Sequence, residues 1–211
     1  MDRQDIVREA LKLLNESGLD SLSVRRIATR LGVKSPALYW HFKNKQELLD
    51  EMAWHLQSRQ DLGPPHSGEA WREWLERRTR ERRAVLLSYR DGARLVASSR
   101  PSPQLVEAFE SELTALTTFG FTPKLAMRSI ISLGHFVSGF VLEEQDEQRR
   151  YTESGDTPPQ KFADEQRAAF LQSTPTLAAA IQDSSAMSGD EGFEEGMTFI
   201  IDGIAAALGH Q

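Results

Sequence analysis

"SVRRIATRLGVKSPALYWHFKNKQELL", residues 23–49, sets Tyr39, Trp40, His41 and Phe42 side by side among basic residues. Buried aromatics recur at helical or strand spacing rather than consecutively, so some of these four face away from a core. Upstream, Val24, Ile27, Ala28 and Leu31 recur at helical spacing, with Ser21 or Ser23 as the cap and Gly32 as the stop. Ser35-Pro36 then opens another short helix, with proline in the first turn, where its missing N–H would have had no partner. A helix, a tight glycine turn and a second helix of a few residues is the layout of a helix-turn-helix.

In that motif the second helix presents its N-terminal residues to the DNA major groove. Here those residues are Ser35, Pro36, Ala37, Tyr39 and Trp40, while Leu38 and Phe42 turn back toward Ile27 and Leu31. Ser35 offers a hydroxyl to a base edge or phosphate, and Pro36 and Ala37 offer carbon to a thymine methyl. Tyr39 and His41 can donate to phosphates, with Arg25, Arg26, Lys43 and Lys45 flanking them as cations. The competing reading has Tyr39, Trp40 and Phe42 closing a small core behind a solvated basic face. Their place in a short helix after Gly32 favours DNA, with Trp40 the residue for which inward packing competes most.

Outward from this stretch the pattern stays helical. Ile6, Val7, Ala10, Leu11 and Leu14 mark a first helix that Gly18 stops, and a fourth runs from near Lys45 through Leu56. "QDLGPPHSGEA" reads as a linker. Helices are expected at about 69–88, 102–118, 122–146, 162–171, 174–182 and 190–208, with the polar, proline-containing "DEQRRYTESGDTPPQ" as a mobile loop. No segment reads as a strand. The expected fold is all-α: a helix-turn-helix head at residues 1–46, a connecting helix at 47–62 and a helical body at 63–211.

Composition narrows the classes. The 211 residues include no cysteine, which excludes disulfides, thiolate metal sites and cysteine nucleophiles and suits a reducing cytoplasm. No apolar run approaches the roughly 18 residues of a membrane span, and the N-terminus lacks a signal-peptide core. Of the net charge of -6, residues 1–45 contribute +4, from nine Lys or Arg against five Asp or Glu, leaving -10 for the rest. A basic head on an acidic body directs only the head toward an anionic polymer.

The segment from about 5 to 52, above all "LYWHFKNK", resembles the DNA-binding domain of the tetracycline-repressor (TetR) family. "LLSYRDGARLVASSRP" (86–101) and "GHFVSGFVLEEQ" (134–145) are similar to the tetracycline repressors of that family, extending the likeness to most of the chain. The resemblance implies a homodimer with a four-helix-bundle interface, double-stranded DNA and a small organic effector as partners, no membrane, and no catalysis. It also implies that Ser99, Arg100 and Pro101 occupy the loop that moves on ligand binding, and that His135 and Glu143 help hold a magnesium ion chelated by the drug.

Departures from the family pattern fall in the effector site. Val96 stands where a metal-site histidine is implied, so magnesium as part of a ligand complex is doubtful and no cofactor is required. Arg78, Arg82 and Glu112 stand where the family has asparagine, phenylalanine and glutamine. Three charges in a mostly neutral site must pair with one another, face solvent or meet a charged ligand. Leu113, Met127 and Ile130 are expected to seat a bulky, partly aromatic effector that His135 anchors. Two other readings compete: a DNA-binding protein whose body senses nothing, and a helical enzyme using His135 and Glu143. The enzyme reading lacks any accompanying nucleophile motif or phosphate loop.

Overall fold

The head forms where the sequence carries its caps. In the computed structural model, which describes residues 2–154, 171–183 and 189–210, α1 (Arg3–Ser17) starts at Asp2, whose carboxylate accepts the Asp5 N–H at 2.8 Å while Asp5 accepts the Asp2 N–H at 2.9 Å. Helix α2 (Val24–Arg30) is capped by Ser23 rather than Ser21. It ends in a Schellman turn: Gly32 takes a φ of 68°, its N–H meets Thr29 O, and Val33 N–H reaches back to Ala28 O at 3.0 Å. Nothing lies within 4 Å of where a Gly32 Cβ would stand, so backbone conformation rather than space requires glycine there. Helix α3 (Ser35–Leu38) is a single turn, and α4 (Lys45–Gln57), capped by Asn44, leads out of the head.

Ile6, Ala10, Leu14, Ile27, Leu38, Phe42, Met52 and Leu56 fill the head's core and seat α1 on α2 and α4. The body comprises α5 (Trp71–Leu87), α6 (Gly92–Ala97), α7 (Pro103–Thr118), α8 (Pro123–Ser154), α9 (Pro175–Asp183) and α10 (Gly189–Gly209). Helix α5 packs against α4, α6, α8 and α10, making it the body's central strut. Among the described residues there is no strand.

Three expectations need correction. The loop expected after residue 145 is helical as far as Ser154, because no glycine or proline interrupts the chain before Gly155 and Arg149 ties α8 down through Asp146 at 2.7 Å and Asp91 at 3.0 Å. A separate short helix, α6, fits between α5 and α7; Gly92 permits it, since a Cβ there would stand 2.2 Å from Leu86 O. Within residues 123–150, α8 averages a mean hydropathy of 1.5 over 18 residues, long and apolar enough for a membrane span, although the interspersed Gly134, His135 and Ser138 hide this in the sequence. Its buried face of Ala126, Ile130, Leu133, Val137 and Val141 packs against α5, α7 and α10, as a core helix does. The helix expected at 162–171 lies outside the described residues except for its last position.

Candidate nucleic-acid interface and effector site

Leu38 and Phe42 are buried in the head, whereas Tyr39 is 54% and Trp40 89% exposed. One turn of helix thus sorts the aromatic run, sending two apolar residues inward and two rings outward. Pro36 is exposed, and Ser35, Ala37 and His41 are half-buried around them. The His41 carbonyl accepts from Arg3 at 2.7 Å, and the Arg3 guanidinium stands 4.4 Å from the Phe42 ring centre while bridging Glu47 and Glu51. This clamp fixes the back of the aromatic turn.

The head's cations divide into two sets. Arg8, Lys12 and Arg30 are paired with Asp5, Glu9 and Glu16, and Arg26 donates to Ser21 O. Arg25, Lys34, Lys43 and Lys45 form no side-chain ion pair among the described residues, and all four are exposed, Arg25 on α2, Lys34 before α3, and Lys43 and Lys45 between the aromatic run and the start of α4. Lys34, the residue that starts α3, went unnoticed in the sequence because it is isolated there from the other basic residues. Four exposed cations and two outward rings on one small head suit a polyanion.

The body meets this head through α6. Leu19 donates its N–H to Asp91 Oδ2 at 2.8 Å, Arg94 bridges Asp20, Gln46 donates to Ser98 O at 2.9 Å, and Arg100 donates its N–H to Asp50 Oδ1 at 2.9 Å. Asp91 is buried, with φ 57° and ψ 23°, a left-handed conformation more open to aspartate than to most residues. A cleft of about 360 Å³ at this seam is lined by Asn15, Tyr89, Arg90, Asp91, Gln145 and Arg149. Ser99 is half-buried and bonded to Val96 O, Val96 packs against the core, and Arg100 is exposed.

The three charges in the expected effector site meet different fates. Arg78 and Glu112 pair bidentately, Nε to Oε1 at 2.9 Å and Nη2 to Oε2 at 2.6 Å, with Glu112 1% exposed and also facing Gly63 N–H. Arg82 is half-buried and joins no ion pair among the described residues, and its Nε is enclosed without a hydrogen-bond partner. Desolvation, and after it the Arg78 charge, lowers its pKa to about 10 against the opposing pull of Glu112, so Arg82 remains charged at neutral pH.

Ile130 is buried and Leu113 half-buried, facing into the body, whereas Met127, His135 and Glu143 are exposed along α8. Among the described residues no ion pair joins His135 or Glu143 to Arg78 or Arg82. Glu143 instead lines a shallow cleft with Asp146, Arg149 and Arg150. Among the described residues no three His, Asp or Glu side chains group as a metal site, and Val96 adds no donor, so the set fits a resident metal poorly.

Residues 6–52 match the family described as bacterial regulatory proteins, tetR family, and residues 64–208 match the tetracyclin repressor-like, C-terminal domain. The chain is 38% identical over 201 residues to the tetracycline repressor protein class A from transposon 1721 of Escherichia coli, spanning 95% of this chain and 88% of that protein. Among solved structures it resembles a possible TetR family transcriptional regulator from Streptomyces coelicolor A3(2), with a TM-score of 0.81 and 34% identity over 98% of this chain and 100% of that one. It also resembles class A TetR in complex with 5a,6-anhydrotetracycline and magnesium, with a TM-score of 0.72 and 32% identity over 98% of this chain and 99% of that one.

Proposed function

The chain belongs to the TetR family of bacterial regulatory proteins, and from that premise we propose that it is a cytoplasmic repressor, a homodimer that holds a palindromic operator until a small organic effector binds its body. The observation that carries this reading is the exposure of Tyr39 and Trp40 directly after the one-turn helix α3, with Lys34, Lys43 and Lys45 exposed close to them in the chain, on a head hydrogen-bonded to the body through α4 and the end of α6. In this reading Ser35, Pro36 and Ala37 read bases, and Tyr39, Trp40, His41, Arg25 and Lys45 hold the backbone. The head is residues 1–46, the connecting helix 47–62 and the body 63–211.

The dimer rests on α8 and α10. Met127 is 43%, Ile131 40% and Phe199 74% exposed, large side chains that one chain leaves in water and a second copy would cover. His135 and Glu143 share that exposed part of α8, so association carries them into the contact with the other subunit. The effector site then combines Arg78, Arg82, Glu112, Leu113 and Ile130 with Val96, Ser99 and Arg100 at the hinge and Met127, His135 and Glu143 along α8. Ligand that favours a different setting of α6 shifts the heads away from the spacing DNA requires. Magnesium enters only as part of an effector complex, since Val96 provides no ligand, and no resident cofactor is needed.

The test is retardation of the DNA upstream of the protein's own gene, followed by release with tetracycline, with and without magnesium, and with anionic polycyclic compounds. Binding to a symmetric site and release by an organic compound support the reading. Strong release by tetracycline that requires magnesium would overturn the role given to Val96. Binding that no compound relieves would favour a body that senses nothing.

A further inference from the structure

Two buried side-chain polar atoms among the described residues lack a hydrogen-bond partner, Trp74 Nε1 and Arg82 Nε. Both are donors and both lie on α5, with Arg78 midway between them. Eight residues of helix set the two positions roughly 12 Å apart along the axis and about 80° apart around it, with Arg78 within about 40° of each. Burying a donor without an acceptor is costly, and a structure retains few such groups without a reason.

Charge adds a constraint. Glu112 neutralises Arg78 through its bidentate pair and gives Arg82 no hydrogen bond. The trio therefore keeps one net positive charge, and desolvation, with the Arg78 charge after it, lowers the Arg82 pKa without removing that charge at neutral pH. A neutral ligand would leave that charge uncompensated, and a cation would add to it. An acceptor-rich anion satisfies both orphan donors and the charge together.

We propose that the effector is an elongated aromatic carboxylate whose anionic end pairs with Arg82 and whose far end offers an acceptor to Trp74 Nε1, with the Arg78–Glu112 pair forming the wall between them. This rests on the regulator reading above and specifies its ligand class. Arg78 is not the anion receptor, because Glu112 already neutralises it through Nε and Nη2. The site discriminates by charge: a primary amide of the same shape brings an NH2 group toward the Arg82 cation and binds weakly.

The experiment uses the full-length dimeric protein and the probes benzoate, 2-naphthoate and 4′-hydroxybiphenyl-4-carboxylate, each beside its neutral primary amide. Binding is measured by calorimetry, and operator release by DNA retardation, for wild type, Arg82→Met and Arg82→Lys. Wild type is expected to favour carboxylate over amide at least tenfold, with affinity rising along the length series. Arg82→Met should lose the preference while melting no lower than wild type, because an unpaired buried charge has gone, and Arg82→Lys should recover part of it. Equal binding of acid and amide, no binding of any probe by wild type, or a preference that survives in Arg82→Met would overturn the inference. If operator binding and its release by a neutral compound persist in that case, the regulator reading stands and only the ligand class falls. If the protein never binds operator, the regulator reading itself falls.

Discussion

Leu19 donates its backbone N–H to Asp91 Oδ2 at 2.8 Å, joining the segment after the first head helix to the turn that starts α6. The same carboxylate accepts from Arg149 at 3.0 Å and Arg94 at 3.4 Å, so one buried residue collects the head, α6 and the end of α8. The head is thereby hydrogen-bonded to the element that carries Val96 and leads to Ser99. Asp91→Ala orphans the Leu19 N–H at a cost of about 1–3 kcal/mol and strains a left-handed position. The expected outcome is faster hydrogen exchange at Leu19 and operator affinity that responds less to effector, with Asp91→Asn closer to wild type. Unchanged exchange at Leu19 would contradict the role given to the bond.

Breaking the Arg78–Glu112 pair from one side should be costly. Glu112→Ala takes from the largely enclosed Arg78 its only ion-pair partner among the described residues, beside an Arg82 that already has none, and is expected to lower stability by about 3 kcal/mol. The double change Arg78→Met, Glu112→Leu removes both charges and should recover most of that loss. Denaturant unfolding of the two variants provides the comparison.

Acid should weaken the tie between the linker and α5. Two hydrogen bonds from Arg77, at 2.7 and 2.9 Å, together with one from the His66 N–H, lower the Glu69 pKa from 4.5 to about 2. A carboxylate whose folded-state pKa is depressed contributes stability above its unfolded pKa and loses it as pH falls through the folded value. Wild type should therefore lose melting temperature between about pH 5 and 2 more steeply than Glu69→Gln. Parallel curves for the two would contradict the assignment.

Phe199 is 74% exposed on α10, so its replacement costs one chain little packing. Phe199→Asp is expected to yield a folded monomer by sedimentation, with a helical circular dichroism spectrum like that of wild type. A dimer that persists at micromolar concentration would move the interface elsewhere.

The head was legible in the sequence because its signals are local. Gly32, Ser23 and Pro36 each act through backbone geometry within a few residues, and the inward Leu38 and Phe42 follow from helical spacing once the turn is placed. The sequence could also name Arg78, Arg82 and Glu112 as a problem of buried charge but not solve it. Glu112 lies 34 residues from Arg78, and only the packing of α7 on the body decides which arginine it neutralises. The length of α8 is not legible locally, because the polar residues from Asp146 onward resemble a loop, whereas their helix is held by a contact from Arg149 to Asp91, 58 positions away. Lys34 was missed because its neighbours on the surface come from other elements. His135 and Glu143 show the limit of a single chain: spacing places them on α8, where both are exposed, and only the proposed dimer gives them a partner.

The most direct measurement is a salt series of operator binding by wild type, Arg25→Ala, Lys45→Ala, Ser35→Ala and Ala37→Ser on the upstream DNA and on scrambled DNA of equal length. The account predicts a symmetric footprint with two half-sites and a log–log salt slope that falls by about 0.9 for each phosphate that is no longer neutralised, hence about two per dimer for Lys45→Ala or Arg25→Ala on every sequence. Ser35→Ala and Ala37→Ser should keep the slope and change which bases are preferred. A single asymmetric protected site, or a Lys45→Ala protein that changes base preference at unaltered salt slope, would contradict the account.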